Sequence, residues 1–116
     1  MKRFEDIIAW QKSKVLAVLI YKKFYDNRDF GFKDQIQRAA ISISNNIAEG
    51  FDRHTDKELR RYLFIAKGSC AETKSMLYIA LELSYIDQDQ FKNLYELTTE
   101  ISKLLTVFIK KLTTED

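Results

Sequence analysis

A row of hydrogen-bonding side chains between residues 35 and 50 is the arrangement in this sequence best suited to specific contacts. Its members follow one another at intervals of three or four residues, so they share one helical face: Gln35, Arg38, Ser42, Asn46 and Glu49. Ser69 and Glu72 form a second polar set further along the chain. A solvated face more often carries Lys and Glu. The row therefore predicts either a polar network that fixes the register of packed helices or a contact surface for a ligand or RNA.

A second candidate site is basic. The predicted phosphate contacts are Arg53, Lys57, Arg60, Arg61 and Lys67. Three of these cations share one polar arc of a predicted helix with Lys74, and Arg61 lies at its margin. Cations in a row along a helix can follow the phosphates of a nucleic acid. The alternative is an exposed face that serves only solubility, and no aromatic–basic motif of the RRM type accompanies the row.

Catalytic and metal-binding side chains are scarce. His54 is the only histidine and lies in a polar segment, which is typical of a solvated loop. Cys70 is the only cysteine and falls on an apolar stripe, where cysteine usually behaves as a small hydrophobic residue. The sequence has no P-loop, GxGxxG, CxxC, HExxH or ExxH motif. We therefore expect no catalytic residues, no metal, no cofactor and no small-molecule substrate.

Length and composition bound the class of protein. The 116 residues fit one domain, residues 1–116, and 46% hydrophobic with 31% charged residues indicates a soluble globular chain. There is no proline, where an average usage of about 5% would give about six, so long helices are expected rather than turn-rich sheets. A single cysteine and the lack of an 18-residue apolar run favour a cytoplasmic protein without membrane spans. A net charge of +2 does not by itself indicate a nucleic-acid partner.

Four amphipathic segments position these side chains. The periodicity predicts helices over about Asp6–Tyr25, Lys33–Glu49, Thr55–Ser84, and Asp87 or Asp89 to Leu112. Asp6 is the expected N-cap of the first helix, Gly50 the residue after the second, and Thr55 with Glu58 a capping box. Short connections make neighbouring helices antiparallel. The prediction is an all-α, antiparallel up-down-up-down four-helix bundle.

Two of the predicted helices carry more apolar surface than one core stripe needs. The main stripes include Leu16, Ile20 and Phe24 on the first helix, Ile36, Ile43 and Ile47 on the second, Leu63 and Leu77 on the third, and Ile101 and Leu105 on the fourth. The surplus residues are Val15, Val18 and Leu19 on the first helix and Ile65, Met76, Ile79 and Leu83 on the third. Such residues either widen the core or form a subunit interface. We expect self-association, because the third helix is apolar on both sides over several turns.

The chain resembles a known family. The resemblance lies in Gln35, Arg38–Ala40, Ser42–Ile43, the Asn-Ile-Ala-Glu-Gly block 46–50, the block 65–69 with Glu72, and Trp10–Lys12. These residues are similar to the four-helix bundle proteins encoded in intervening sequences of bacterial 23S ribosomal RNA genes. The chain departs from them at Ser44, where proline is frequent, and at Lys67, where arginine is common and gives a planar donor fork.

The resemblance implies a homopentameric ring of antiparallel bundles. A related group, the accessory variability proteins of diversity-generating retroelements, is similar in fold and binds nucleic acid and a reverse transcriptase. By this analogy we expect RNA or a ribonucleoprotein as partner, in addition to other copies of the chain. The rival expectations are a protein-binding scaffold without nucleic-acid contact and, with little support from the residues, an enzyme.

Overall fold

Four helices account for most of residues 3–112, the part of the chain that this computed structural model describes. They are α1 (Ile8–Lys23), α2 (Phe30–Phe51), α3 (Asp56–Glu82) and α4 (Gln88–Lys111), and a 3₁₀ turn at Phe4–Asp6 precedes α1. Each helix packs against its neighbours in the chain and α1 also packs against α4, whereas α1 and α3 lie on opposite corners and do not touch. The predicted antiparallel four-helix bundle is confirmed, with overall dimensions of 47 × 21 × 20 Å.

The first two helices start at residues other than those predicted. Asp6 belongs to the 3₁₀ turn, and α1 begins after Ile7 without a side-chain cap, so Asp6 is not the N-cap. Helix α2 starts three residues earlier than predicted, at Phe30, because the Asp29 carboxylate accepts a hydrogen bond from the Phe32 amide. Gly31 therefore lies in the first turn of α2 rather than in the connection.

Gly50 has a packing role instead of the predicted capping role. Helix α2 continues to Phe51, and the backbone of Gly50 is not in the left-handed region. A Cβ atom at this position would lie 2.7 Å from Tyr62 Cβ and 3.1 Å from a methyl carbon of Leu59. Glycine is required here because α2 and α3 approach too closely for any side chain.

Both ends of α3 are closed by local hydrogen bonds. Thr55 Oγ1 accepts from the Glu58 amide, as predicted, but the Glu58 carboxylate lies 3.5 Å from Arg61 Nε rather than completing the box. A full capping box forms instead at α4, between Asp87 and Gln90. At the other end of α3, Ser84 adopts φ 61° and the Tyr85 amide donates to the Ala80 carbonyl, which is the Schellman arrangement.

The core is continuous along the bundle and follows the predicted stripes closely. Its largest fully buried side chains include Leu16, Ile20, Phe24, Ile36, Ile43, Ile47, Leu63, Leu77, Ile101 and Leu105. Met76, predicted among the surplus apolar residues, is buried as well, so the core face of α3 is wider than one stripe. The other six surplus residues are exposed by 40–49%. They remain available for contacts outside the chain.

A side-chain hydrogen bond joins the two connections at one end of the bundle. Tyr85 lies in the connection after α3, and Asp29 lies in the connection before α2. Tyr85 Oη donates a hydrogen bond to Asp29 Oδ2 over 2.7 Å. This bond and the Phe32 amide hold the pKa of Asp29 below its usual value, and the same bond raises the pKa of Tyr85. The Asp29 carboxylate therefore both caps α2 and, through Tyr85, holds the α3–α4 connection in place.

Replacing Leu77 tests the assignment of the core face. Leu77 is fully buried. Leu77→Ala is therefore expected to lower the free energy of unfolding by about 2–5 kcal/mol, because a cavity replaces lost packing. Urea denaturation measures the change, and a loss below about 1 kcal/mol would contradict the placement of Leu77 in the core.

Removing the charge of Asp29 tests the bond between the connections. A carboxylate whose pKa is lowered on folding adds stability above its unfolded pKa, and this contribution disappears as the pH falls through the folded pKa. Asp29→Asn should therefore reduce the free energy of unfolding at pH 7 and have little effect at about pH 2. Asp26→Asn, at an exposed acid in the same connection, is the matched control. An equal loss at both pH values would exclude the ionised carboxylate as the cause.

Candidate nucleic-acid interface

A three-residue polar contact joins α2 to α3. Asn46 Nδ2 donates to the carbonyl and the hydroxyl of Ser42 over 2.8 and 2.9 Å, and Ser69 Oγ donates to Ser42 Oγ over 2.9 Å. All three residues are buried or half-buried. A hydroxyl pair that must meet across two helices specifies their register, which is the role predicted for this network.

The other predicted members of the network do not reach across the two helices. Arg38 Nε pairs with Asp34 on its own helix over 2.9 Å, and Glu49 accepts from Arg53 over 3.3 Å. Gln35 and Glu72 are exposed and make no hydrogen bond to another described residue. The predicted row is thus a small structural contact at its centre and a solvated face at its ends.

The predicted phosphate contacts separate into two groups, of which the first surrounds Tyr62 of α3, beside the α2–α3 turn. The guanidinium carbons of Arg53 and Arg61 lie 5.0 and 4.9 Å from the Tyr62 ring centroid. Arg53 Nη2 also donates to the Tyr62 hydroxyl over 2.6 Å. Tyr62 and the nearby Glu49 raise the pKa of Arg53. We call Arg53, Arg61 and Tyr62 the turn cluster.

Carboxylates balance the charge of the turn cluster. Glu49 pairs with Arg53 and Glu58 with Arg61, so neither guanidinium offers an uncompensated charge to a phosphate. Lys57 is exposed one helical turn before Arg61. Both pairs are local, at i,i+4 and i,i+3 spacings, so the sequence already contained this signal, which counting the cations did not use.

The second group lies along the side of α3 that faces α4. The α3 cation row, as we call it, consists of Arg60, Lys67 and Lys74. Each is seven residues from the next, so all three fall within 40° of one another around the helix. None of the three has a carboxylate oxygen within 4.0 Å among residues 3–112. The Arg60 guanidinium lies 5.0 Å from the Phe64 ring, and Lys74 Nζ lies 5.0 Å from the Tyr95 ring. The row is therefore positively charged and bordered by aromatic rings.

Three aromatic side chains continue the surface beyond Lys74. Tyr78 of α3 lies 5.0 Å from Phe91 and 5.4 Å from Tyr95 between ring centroids, and Phe91 stacks on Tyr95 at 5.3 Å. The neighbouring Tyr95 hydroxyl raises the pKa of Tyr78. We call Tyr78, Phe91 and Tyr95 the aromatic cluster. Sequence reasoning missed it, because its members come from two helices and only packing brings them together.

His54 and Cys70 are placed as predicted. His54 is exposed in the turn between α2 and α3. Cys70 is buried on the core side of α3, and this burial raises its pKa to about 12, against the opposing influence of Lys74 and Lys67. The Cys70 thiol is thus protonated and unreactive at neutral pH.

Two searches of the described residues gave negative results. Within residues 3–112, no group of three or more His, Cys, Asp or Glu side chains is placed to hold a metal ion. No helix in that range combines the length and hydrophobicity needed to cross a bilayer.

The comparisons with known proteins agree with one another. The sequence model of the family described as 23S rRNA-intervening sequence protein matches residues 5–107. A 1.70 Å crystal structure of a protein with unknown function from the S23 ribosomal protein family of Bacteroides thetaiotaomicron VPI-5482 is similar, with a TM-score of 0.84 and 30% identity. The match covers 90% of this chain and 100% of that chain. No curated protein matches the sequence at a significant level.

Proposed function

Because the chain belongs to the 23S rRNA-intervening sequence protein family, we propose that it is a non-enzymatic bundle that binds RNA or a ribonucleoprotein in the cytoplasm as a homo-oligomer. The α3 cation row is the observation that carries the RNA partner. Its three charges lie on one side of one helix and lack carboxylate partners among the described residues. The cations of such a surface neutralise phosphates and release the counterions condensed around the nucleic acid, and this release drives binding.

The candidate phosphate contacts are not equivalent in this proposal. Arg60 and Lys67 of the predicted set, together with Lys74, make the main contacts. Arg53 and Arg61 contribute less, since binding a phosphate there requires breaking an ion pair with Glu49 or Glu58.

Self-association is proposed from two exposed apolar faces. One lies on α1 and includes Val15, Val18 and Leu19; the other lies on α3 and includes Ile65, Ile79 and Leu83. Since α1 and α3 occupy opposite corners of the bundle, these faces lie on different sides of it. A contact between the α1 face of one copy and the α3 face of the next is heterologous, and such contacts generate rings when the rotation closes. The resemblance to the family suggests five copies.

The absence of catalysis is proposed from the described side chains. His54 has no neighbouring nucleophile or acid bonded to it among residues 3–112, and Cys70 is buried with a high pKa. General acid–base or nucleophilic chemistry requires such a pair within hydrogen-bond reach.

A protein-binding scaffold is the alternative function. It is favoured by the same exposed apolar faces, which a different protein could cover in place of another copy. In that case the cation row serves solubility, and affinity for RNA is absent or independent of salt.

Binding to RNA at two salt concentrations tests the proposed partner. We expect the affinity for structured RNA, measured by fluorescence anisotropy, to fall by at least tenfold between 50 and 200 mM salt if several phosphates are contacted. Arg60→Gln and Lys67→Gln should each weaken binding. Arg38→Gln is the matched control, because this arginine lies on α2, is exposed and is paired with Asp34 of the same helix. Undetectable binding at 50 mM salt, or equal effects of all three variants, would contradict the proposal.

Mixing two variants tests the heterologous contact. Leu19→Asp disables the α1 face and Ile79→Asp the α3 face, and both residues are exposed by more than 40%, so the fold should survive. We expect each variant alone to be a monomer by light scattering. Their mixture should give a dimer, since each supplies the intact face that the other lacks. A monomeric parent protein at micromolar concentration, or a mixture that stays monomeric, would exclude the ring.

A further inference from the structure

We propose that the α3 cation row and the aromatic cluster together form a binding groove for single-stranded RNA, with phosphates on the cations and unpaired bases on the rings. This inference rests on the proposed function and specifies the form of RNA that the surface accepts. It adds Lys74, Tyr78, Phe91 and Tyr95 to the predicted contacts.

The first support is that the α3 cation row and the aromatic cluster form one continuous surface. Lys74 Nζ lies 5.0 Å from the Tyr95 ring, and Tyr95 contacts both other members of the aromatic cluster. From Lys74 toward the N-terminus of α3, the row extends over 14 residues to Arg60, which is about 21 Å along the helix. A strand that places a base on the cluster can therefore pass its backbone over Lys74, Lys67 and Arg60 in turn.

The second support is the exposure of Tyr78. This side chain is 52% exposed although it lies beside two other rings. Bases stack on such rings with little dependence on sequence, and removing one stacked contact typically weakens binding by about 5- to 150-fold. A surface that served only solubility would not require an aromatic ring at this position.

The third support is further positive charge beside the groove, on the outer side of α4. Lys103 and Lys110 are exposed, and both fall within 80° of Tyr95 around the helix. Because α3 and α4 are antiparallel and Lys74 contacts Tyr95, Lys103 lies near the level of Lys67 and Lys110 near the level of Arg60. No carboxylate lies within 4.0 Å of either lysine among residues 3–112. Lys103 shares the outer surface of α4 with Glu96 and Glu100, so the positive charge of the groove itself comes from the α3 cation row.

The combination of rings and cations favours a single strand over a duplex. Double-stranded RNA is recognised through phosphates and 2′-hydroxyls, with its bases stacked inside and out of reach of aromatic side chains. The proposed self-association also leaves this surface open. Ile79 follows Tyr78 directly and points about 100° away from it around the helix.

Anisotropy measurements with the full chain test the groove. The probes are a labelled 12-nucleotide single-stranded RNA and a duplex of the same length. We expect tighter binding to the single strand. Tyr78→Leu should weaken that binding at least fivefold without changing the salt dependence. Lys74→Gln should weaken it and reduce the slope of log affinity against log salt by about 0.7.

The controls use matched residues outside the groove. Tyr25 is 77% exposed and lies 5.5 Å from a lysine, Lys33, so Tyr25→Leu removes the same type of ring from a different surface. We expect this variant to bind as the parent does, and Tyr78→Phe to retain affinity because the ring remains. If Tyr78→Leu unfolds, 4-thiouridine crosslinking of the parent decides instead, with adducts expected on peptides that contain Tyr78 or Tyr95.

The outcomes separate this inference from the proposed function. RNA binding that prefers the duplex, or that changes less than twofold in Tyr78→Leu, overturns the groove and leaves RNA binding by the bundle intact. Crosslinks confined to other helices overturn it in the same way. Absence of binding to both probes at 50 mM salt overturns both proposals and favours the protein scaffold.

Discussion

The close approach of α2 and α3 at Gly50 determines how the rest of the bundle is arranged. Only a hydrogen atom fits between the Gly50 backbone and Tyr62, so this contact fixes the position along α3 at which α2 packs most closely. About two turns before Gly50 in α2, the Ser42–Ser69 hydrogen bond fixes the register of α2 and α3 at a second point. With contact at both points, α3 cannot slide or rotate against α2. This rotation decides which residues of the longest helix face the core and which face outward.

Once its rotation is fixed, α3 presents three separate surfaces. Leu63, Cys70 and Leu77 face the core, Ile65 and Ile79 form part of an exposed apolar face, and the cation row borders α4. The separation follows from the helical repeat of 3.6 residues, because adjacent residues such as Tyr78 and Ile79 point in different directions. A single helix can therefore hold the core contacts and the two proposed surfaces, for self-association and for nucleic-acid binding, without one obstructing another.

The sequence predicted the helices, their core faces and the Thr55 cap of α3, but not the residues at which α1 and α2 start. Ile36, Leu63 and Leu77 were identified by periodicity alone, because a stripe of apolar residues must be buried. The caps of the first two helices were harder: α1 begins after Ile7 without a side-chain cap, and Asp29, the cap of α2, also accepts from Tyr85 of a distant connection. Ser84 in the left-handed region was also unforeseen, because glycine is the usual residue there. Local patterns fix the helices and the Thr55 cap, whereas contacts between distant segments, such as Tyr85 with Asp29, emerge only from the fold.

The candidate site shows how local charge pairing distinguishes adjacent cations. Arg60 and Arg61 are adjacent and chemically identical, yet Arg61 faces Glu58 and Tyr62 while Arg60 lies against Phe64 without a carboxylate partner among the described residues. Counting cations treats them as equal, but a phosphate must compete with an existing ion pair at only one of them. Local charge compensation, and not the net charge of +2, therefore determines which surface can bind RNA. By this criterion the groove between α3 and α4 is the stronger candidate, because Arg60, Lys67 and Lys74 combine uncompensated charge with aromatic surface.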